Sequence, residues 1–399
     1  MKYNFDQVID RRASDSVKWN AYAPDVIPMW IADMDFPSPE PVIRALVARA
    51  QHGVFGYPDS IYDDTSHQLS EFRQMIMERL ARHYQWQITP EEIVFAPSVV
   101  VGFHLACLAL AHPHEAVLVQ TPVYPPILAA AHETGIQGQK MMLTRNTDGS
   151  YSVDWDAFEA SITPETRLFI LCNPHNPVGK VFQPEELAHL AEICLRHNVT
   201  IVADEVHCDL VYPESRHTPI ATLDNEVAQN TITLMSPSKT YNLAGLQVSF
   251  AIIPNRELRK RYMFAGRSLI PWVNIFGLLA GQVAYQEGEE WLQEVLLYLK
   301  ANRDYLLDFA RQHLPGVHLG YPQGTYLAWL DCRQANLPIK PYQFFLEKAG
   351  VALNDGEKFG RGGEGFVRLN FACPRPLLQQ GLERMSEALQ NNLSNRADD

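Results

Sequence analysis

The chain has no run of about 18 uncharged apolar residues, the minimum for a membrane-spanning helix, so no membrane role is expected. It is also short of positive charge. Among 399 residues, 33 are Lys or Arg and 46 are Asp or Glu, a formal net charge of −13. That sign repels nucleic acid and anionic membrane surfaces, and no Lys/Arg block overrides it. The six cysteines (Cys107, Cys172, Cys194, Cys208, Cys332 and Cys373) form no CxxC pair and no repeated spacing. They read as small hydrophobes in a reduced chain, and the N-terminus, with acidic residues and no apolar h-region, does not read as a signal peptide. The expected location is cytoplasmic. Neither GxSxG nor GxxxxGK[ST] occurs. The one GxGxxG, from Gly360 to Gly365, follows no strand and leads into the strand-like FVRLNFA, so a dinucleotide site fails on context and a loop beside Arg368 is expected. His112 and His114 lack further ligands at metal spacing, so no metal is expected.

What is present is an ordinary globular composition, 46% hydrophobic and 20% charged. At roughly 150 residues per domain the length suggests two or three domains. Short apolar runs rich in β-branched residues stand at Glu115–Thr121, Arg167–Asn173, Val199–Glu205, Thr231–Met235 and Gln247–Pro254. Continuous apolar character predicts strands buried on both faces, as in a parallel sheet. Pro184–His197 places Leu187, Leu190, Ala191 and Cys194 on one helical stripe, and Gly102–Ala111 and Pro125–Glu133 also read as helices. The alternation predicts an α/β domain. A helical stretch from near Trp272 to His313, broken at Gly288, leads into a smaller α+β unit. That unit has strands at Tyr326–Asp331 and Phe366–Phe371 and helices at Pro341–Ala349 and Pro376–Asn392. The expected division is 1–47, packing on the small unit, then 48–285 and 286–399. Among the aromatics, Trp272 reads as core.

Three strand ends carry chemistry. Ser236-Pro237-Ser238-Lys239 follows a strand directly, and hydroxyls beside a desolvated lysine suit a phosphate next to an amine nucleophile. Read alone, the segment is equally a surface lysine in a polar turn. Asn173-Pro174-His175-Asn176-Pro177-Val178-Gly179 closes a second strand, with an asparagine able to donate to an aromatic oxygen. Asp204-Glu205 ends a third, and a carboxylate after five apolar residues is either paired or protonated.

Together these segments resemble the fold-type-I pyridoxal-phosphate enzymes of the class-I/II aminotransferase kind, in the order Tyr124, Asn173, Asp204, Lys239, Arg368. WIADMDF from Trp30, DEVH from Asp204, SPSKT from Ser236 and VRLNFA from Val367 are similar to the cystathionine β-lyase (C–S lyase) branch. The resemblance implies an α/β, aminotransferase-like fold with a large, mainly parallel sheet domain and a smaller α+β domain. It also implies pyridoxal 5'-phosphate held by Lys239 as a Schiff base, with Asp204 on the pyridinium nitrogen. Asn173 would donate to the ring oxygen and Tyr124 would stack on the ring face. Ser236, Ser238 and the N–H groups near Val99 and Val100 would cradle the phosphate. Arg368 would grip the substrate carboxylate, with Ile31 and Ala32 beside the substrate. Tyr57 would reach the phosphate of the partner in a homodimer with shared active sites. Three positions depart from the aminotransferase pattern. His207, a cofactor-site residue here, stands where a tyrosine is usual, and Gln247 stands where an arginine is frequent. Ser98 precedes the phosphate-binding amides in place of a glycine. The implied activity is β-elimination of a thiol from cystathionine or a related cysteine S-conjugate, giving pyruvate and ammonia. An aminotransferase is the second reading, and a regulatory protein retaining the fold is the third.

Overall fold

The computed structural model describes residues 2–58, 67–267, 269–270 and 272–397. Its largest sheet has seven strands. They run in the order Ile93–Ala96, Ser249–Ile252, Thr231–Met235, Thr200–Asp204, Thr166–Cys172, Ala116–Thr121, Gln137–Met142. The last five are mutually parallel, while Ser249–Ile252 is antiparallel to both its neighbours. All five expected strands are present. Their centres, such as Val117–Val119 and Phe169–Leu171, are buried from both sides, which accounts for their unbroken apolar character. Two further strands carry no such signature. Gln137–Met142 is an edge strand with mostly exposed side chains, and Ile93–Ala96 has only four residues. The expected strand from Gln247 begins later, because Gln247 itself is left-handed at φ 56.

Helix Pro184–Arg196 buries Leu187, Leu190, Ala191 and Cys194, the stripe its periodicity predicts. Helix Val99–Leu110 starts three residues before Gly102, because Ser98 caps it by accepting the Val101 N–H at 3.2 Å. Helices Glu40–His52 and His67–Tyr84 are not among the expected elements.

The second unit is built on an antiparallel sheet ordered His318–Leu319, Leu327–Asp331, Phe366–Asn370, Asn354–Asp355. Helices Ile275–Glu287 and Glu289–His313 meet at Gly288, where a Cβ would lie 2.6 Å from the Tyr241 ring. The first therefore starts at Ile275, capped by Asn274, and Trp272 before it is 42% exposed and not core. The expected helix Pro341–Ala349 is one α-turn, Pro341–Phe344, widening to a π-turn over Phe345–Ala349. Phe5, Ile27, Met29, Met34 and Phe36 share one core with Trp291, Val295 and Leu299 and with Leu378 and Leu382 of helix Arg375–Ala397. The glycine-rich run is a fitted turn. Gly360, Gly362 and Gly365 have φ of 88, 89 and 81, and Val123 N–H donates to Phe359 O at 2.9 Å, tying the turn to the segment before Tyr124.

Candidate active site

A parallel sheet gathers its strand C-termini along one edge, and loops there can converge on a ligand. Asp204 is the last residue of its strand, Asn173 directly follows Thr166–Cys172, and Lys239 lies in the helical turn Pro237–Thr240 after Thr231–Met235. A cavity of about 180 Å³ there is lined by Ala32, Val99, Val100, Tyr124, Asn176, Asp204, Val206, His207, Ser238, Lys239 and Gln247, among others. A larger cleft, about 670 Å³, shares none of these residues. Its Arg145 and Arg333 are already paired with Asp331, so size does not choose the site.

The cavity is a place of displaced protonation equilibria. Burial pushes the Asp204 carboxyl up to about 6; the Val206 N–H, 3.2 Å from it, opposes that only in part. No ion pair with Asp204 is found among the described residues. Lys239 is pushed down to about 8, first by burial and then by the charge of Arg368. Its Nζ donates to Ala32 O at 2.7 Å. His207 is pushed down to about 3 by burial and by the charges of Lys239 and Arg368, so its ring is neutral, and its Nδ1 has no partner. Tyr124 begins helix Pro125–Glu133, with its ring at the cavity wall.

Arg368 is 4% exposed, and burial lowers it to about 10. Its partners are three neutral oxygens: Asn176 Oδ1 at 3.0 Å, Trp30 O at 2.8 Å and Asn354 Oδ1 at 2.6 Å. Its Nε has none. A buried guanidinium without a carboxylate is a receptor for one.

The structure does not bring every expected residue to the cavity, and Arg368 stands behind the lining, bonded to Asn176. Asn173 is fully buried and outside the lining, with Oδ1 taken by the Phe182 N–H at 3.1 Å, but its Nδ2 has no partner and is a free donor. Asn176, three residues on, lines the cavity, and Arg368 donates to its Oδ1. The Ser236 hydroxyl is spent locally. It donates to Val248 O at 2.6 Å and accepts the Ser238 N–H at 3.0 Å, so only Ser238 lines the cavity. Ile31 is outside the lining while Ala32 is in it. Tyr57 is 84% exposed and stacks on Trp272 at 4.5 Å, away from the lining of its own chain. Val206, in the turn after the strand that ends at Asp204, also lines the cavity; the sequence reading includes it in the DEVH segment but gives it no role.

The residues present fit pyridoxal 5'-phosphate. Its phosphate would meet the Val99 and Val100 N–H groups, which have no intrahelical acceptor, and the Ser238 hydroxyl. Gln247 at the wall adds an amide and no charge. A cationic ring nitrogen is the partner Asp204 lacks, and the unpartnered Asn173 Nδ2 and neutral His207 offer hydrogen bonds to the ring substituents.

The model of the family "Aminotransferase class I and II" matches residues 24–385. The chain is 38% identical to "Cystathionine beta-lyase PatB" of Bacillus subtilis over 97% of this chain and 100% of that protein. It is 33% identical to "Protein MalY" of Escherichia coli over 97% and 99%. The crystal structure of a PLP-bound C–S lyase from Staphylococcus hominis superposes with a TM-score of 0.90 at 33% identity, covering 98% of this chain and all of that one.

Proposed function

The chain belongs to the class I and II aminotransferase family, and we propose that within it this protein is a pyridoxal-phosphate-dependent C–S β-lyase. The observation that carries this reading is Lys239, a depressed amine in one cavity with an unpaired buried carboxylate, Asp204, and beside a carboxylate-seeking Arg368. Substrates are small amino acids: cystathionine first, then other cysteine S-conjugates. With water, cystathionine gives homocysteine, pyruvate and ammonia.

When bound, pyridoxal phosphate supplies an aldehyde that an amine can engage and a ring that withdraws the electron pair left at Cα. Everything else falls to the chain. Lys239 would hold the cofactor covalently and, when its amine is free, would take the proton from Cα; an amine lowered to about 8 has a usable neutral fraction at physiological pH. Asp204 keeps a proton on the ring nitrogen. Arg368 fixes the α-carboxylate by a two-pronged contact and so sets the direction of the Cα–H bond. Tyr124 and Val206 confine the ring. His207, neutral, adds a hydrogen bond and no charge. The direct test is to supply cystathionine alone and look for both a free thiol and a keto acid. Absence of either, with the cofactor bound, contradicts the reading.

An aminotransferase remains the second reading, because the same residues would bind and deprotonate its substrates. We further propose a cytoplasmic homodimer with shared sites, and keep the division 1–47, 48–285 and 286–399. Six buried free thiols support the cytoplasm, and among the described residues no helix is long and apolar enough to cross a membrane. Supporting the dimer, Val54, Phe55, Tyr57, Phe264 and Leu269 are more than half exposed, apolar side chains that a monomer would leave in water. Tyr57 is one of them and lies outside its own chain's cavity. Mixing inactive Lys239→Ala with impaired Tyr57→Ala should then rebuild one intact site per mixed dimer, up to about a quarter of wild-type activity under random assortment. No recovery after subunit exchange would exclude shared sites.

A further inference from the structure

The loop from Trp30 to Phe36 is held mainly by side chains, with one backbone bond outward, from the Asp35 N–H to Ala372 O at 2.9 Å. Arg368 Nη2 donates to Trp30 O at 2.8 Å. Asn242 Nδ2 donates to Met34 O at 3.0 Å and Phe36 O at 2.9 Å. Asn370 Nδ2 bridges Ile31 O at 2.6 Å and Asp33 O at 2.7 Å. The Asn370 amide is fully buried, and the Ala372 N–H donates to its Oδ1 at 2.8 Å, which fixes which way round it points. Asn370 stands two residues after Arg368 on one strand, so both project from the same face.

Between the two carbonyls that Asn370 bridges lies Ala32. Its own carbonyl takes two donors, Lys239 Nζ at 2.7 Å and the Tyr326 hydroxyl at 2.9 Å. Burial raises the Tyr326 phenol, so it is always a donor. The residue before it, Thr325, has φ 66, a conformation that β-branched residues avoid. It is held there by its N–H to Leu210 O at 2.7 Å, by the Tyr212 hydroxyl to its own carbonyl at 2.7 Å, and by the Leu327 N–H to its Oγ1 at 3.1 Å. Such strain persists only where the surroundings over-determine it, and what it aims here is Tyr326.

We propose that Asn370 and Tyr326 are positioning residues that hold the Ala32 carbonyl as a seat for the Lys239 amine whenever that amine is not bonded to the cofactor. The released amine then stays in one place above the substrate, with one N–H on Ala32 and its lone pair free for the Cα proton. Arg368 and Asn370 share a strand, so the grip on the substrate carboxylate and the seat of the lysine are set by one rigid element. The inference rests on the lyase reading only in calling Lys239 catalytic.

The test reads Lys239 directly. The full chain, stripped of cofactor, is acylated competitively across pH, and the peptide carrying Lys239 is followed by mass spectrometry. The charged groups facing that amine are Asp33, Asp204 and Arg368, and none of them is altered. Wild type should titrate near 8. Asn370→Ala removes the clamp, the ammonium loses its acceptor, and the midpoint should fall by about half a pH unit. Tyr326→Phe removes the second anchor of the same carbonyl, and the midpoint should fall in the same direction. In the loaded enzyme both variants should lose about tenfold in kcat with KM within about twofold. An unchanged Lys239 midpoint in folded Asn370→Ala overturns the proposal. So does an unchanged or raised midpoint in Tyr326→Phe, which deletes one oxygen and stays informative if Asn370→Ala does not fold. A loss confined to KM overturns it too. The labelling needs no substrate, so it can fail while cystathionine is still cleaved, and the converse also holds.

Discussion

Lys239→Ala should lose turnover by at least about 10⁴-fold, because one side chain supplies both the covalent anchor and the base for Cα. The fold should survive. In the structure the amine makes one hydrogen bond, to Ala32 O, and that carbonyl keeps its second donor in Tyr326. The variant should still take up the cofactor through the Val99–Val100 amides and Ser238, but borohydride should no longer fix it to the protein. Mass spectrometry of the reduced wild type should place the adduct on Lys239. An adduct on another lysine would remove the centre of the account.

Asp204→Asn should act in opposite directions on stability and on catalysis. In the cofactor-free chain the folded carboxyl titrates near 6, against an ordinary 3.8, because burial disfavours its charge. A group raised on folding contributes fully below its unfolded value and loses that contribution as pH climbs to the folded one. Wild type should therefore lose on the order of 3 kcal/mol from this group between about pH 4 and 6, and not regain it at pH 7. Asp204→Asn, of the same shape and without the charge, should unfold at higher urea than wild type at pH 7.5, with the gap closing at pH 4.5. In the loaded enzyme the same change removes the anion that keeps the ring nitrogen protonated. A preorganised electrostatic partner of this kind is worth about 10²–10³-fold in kcat. A variant that is both less stable when empty and as active as wild type when loaded would refute the role.

Some of these residues are legible in one dimension and others are not, and the difference lies in how far each interaction reaches along the chain. Asp204 and Lys239 announce themselves as polar groups closing runs of apolar strand, where a charge needs a reason. The same logic finds the five inner strands, and it misses Gln137–Met142, whose exposed side chains leave no pattern. Asn173 and Asn176 share one seven-residue turn, and spacing alone does not say that Asn176 is bonded to Arg368 while Asn173 keeps an unpartnered Nδ2. Ser236 reads as a phosphate ligand because its hydroxyl is well placed in sequence, whereas the helix it caps consumes that hydroxyl. Trp272 reads as core and instead is part-exposed, stacked on Tyr57. The seat at Ala32 has no signature at all, because Asn370 reaches Ile31 across 339 positions.

The most direct test of the central claim counts turnovers of cystathionine with no keto acid present. Loss of the Cα proton is common to elimination and transamination, and the two diverge at the next step. Expelling the thiol returns Lys239 to its starting state and needs no second substrate. Transamination leaves the amino group on the cofactor, and the enzyme waits for an acceptor. The account predicts pyruvate and homocysteine accumulating in equal amounts, linearly, far beyond one equivalent per site. A burst of one equivalent that stops, and resumes only when a keto acid is added, would contradict it.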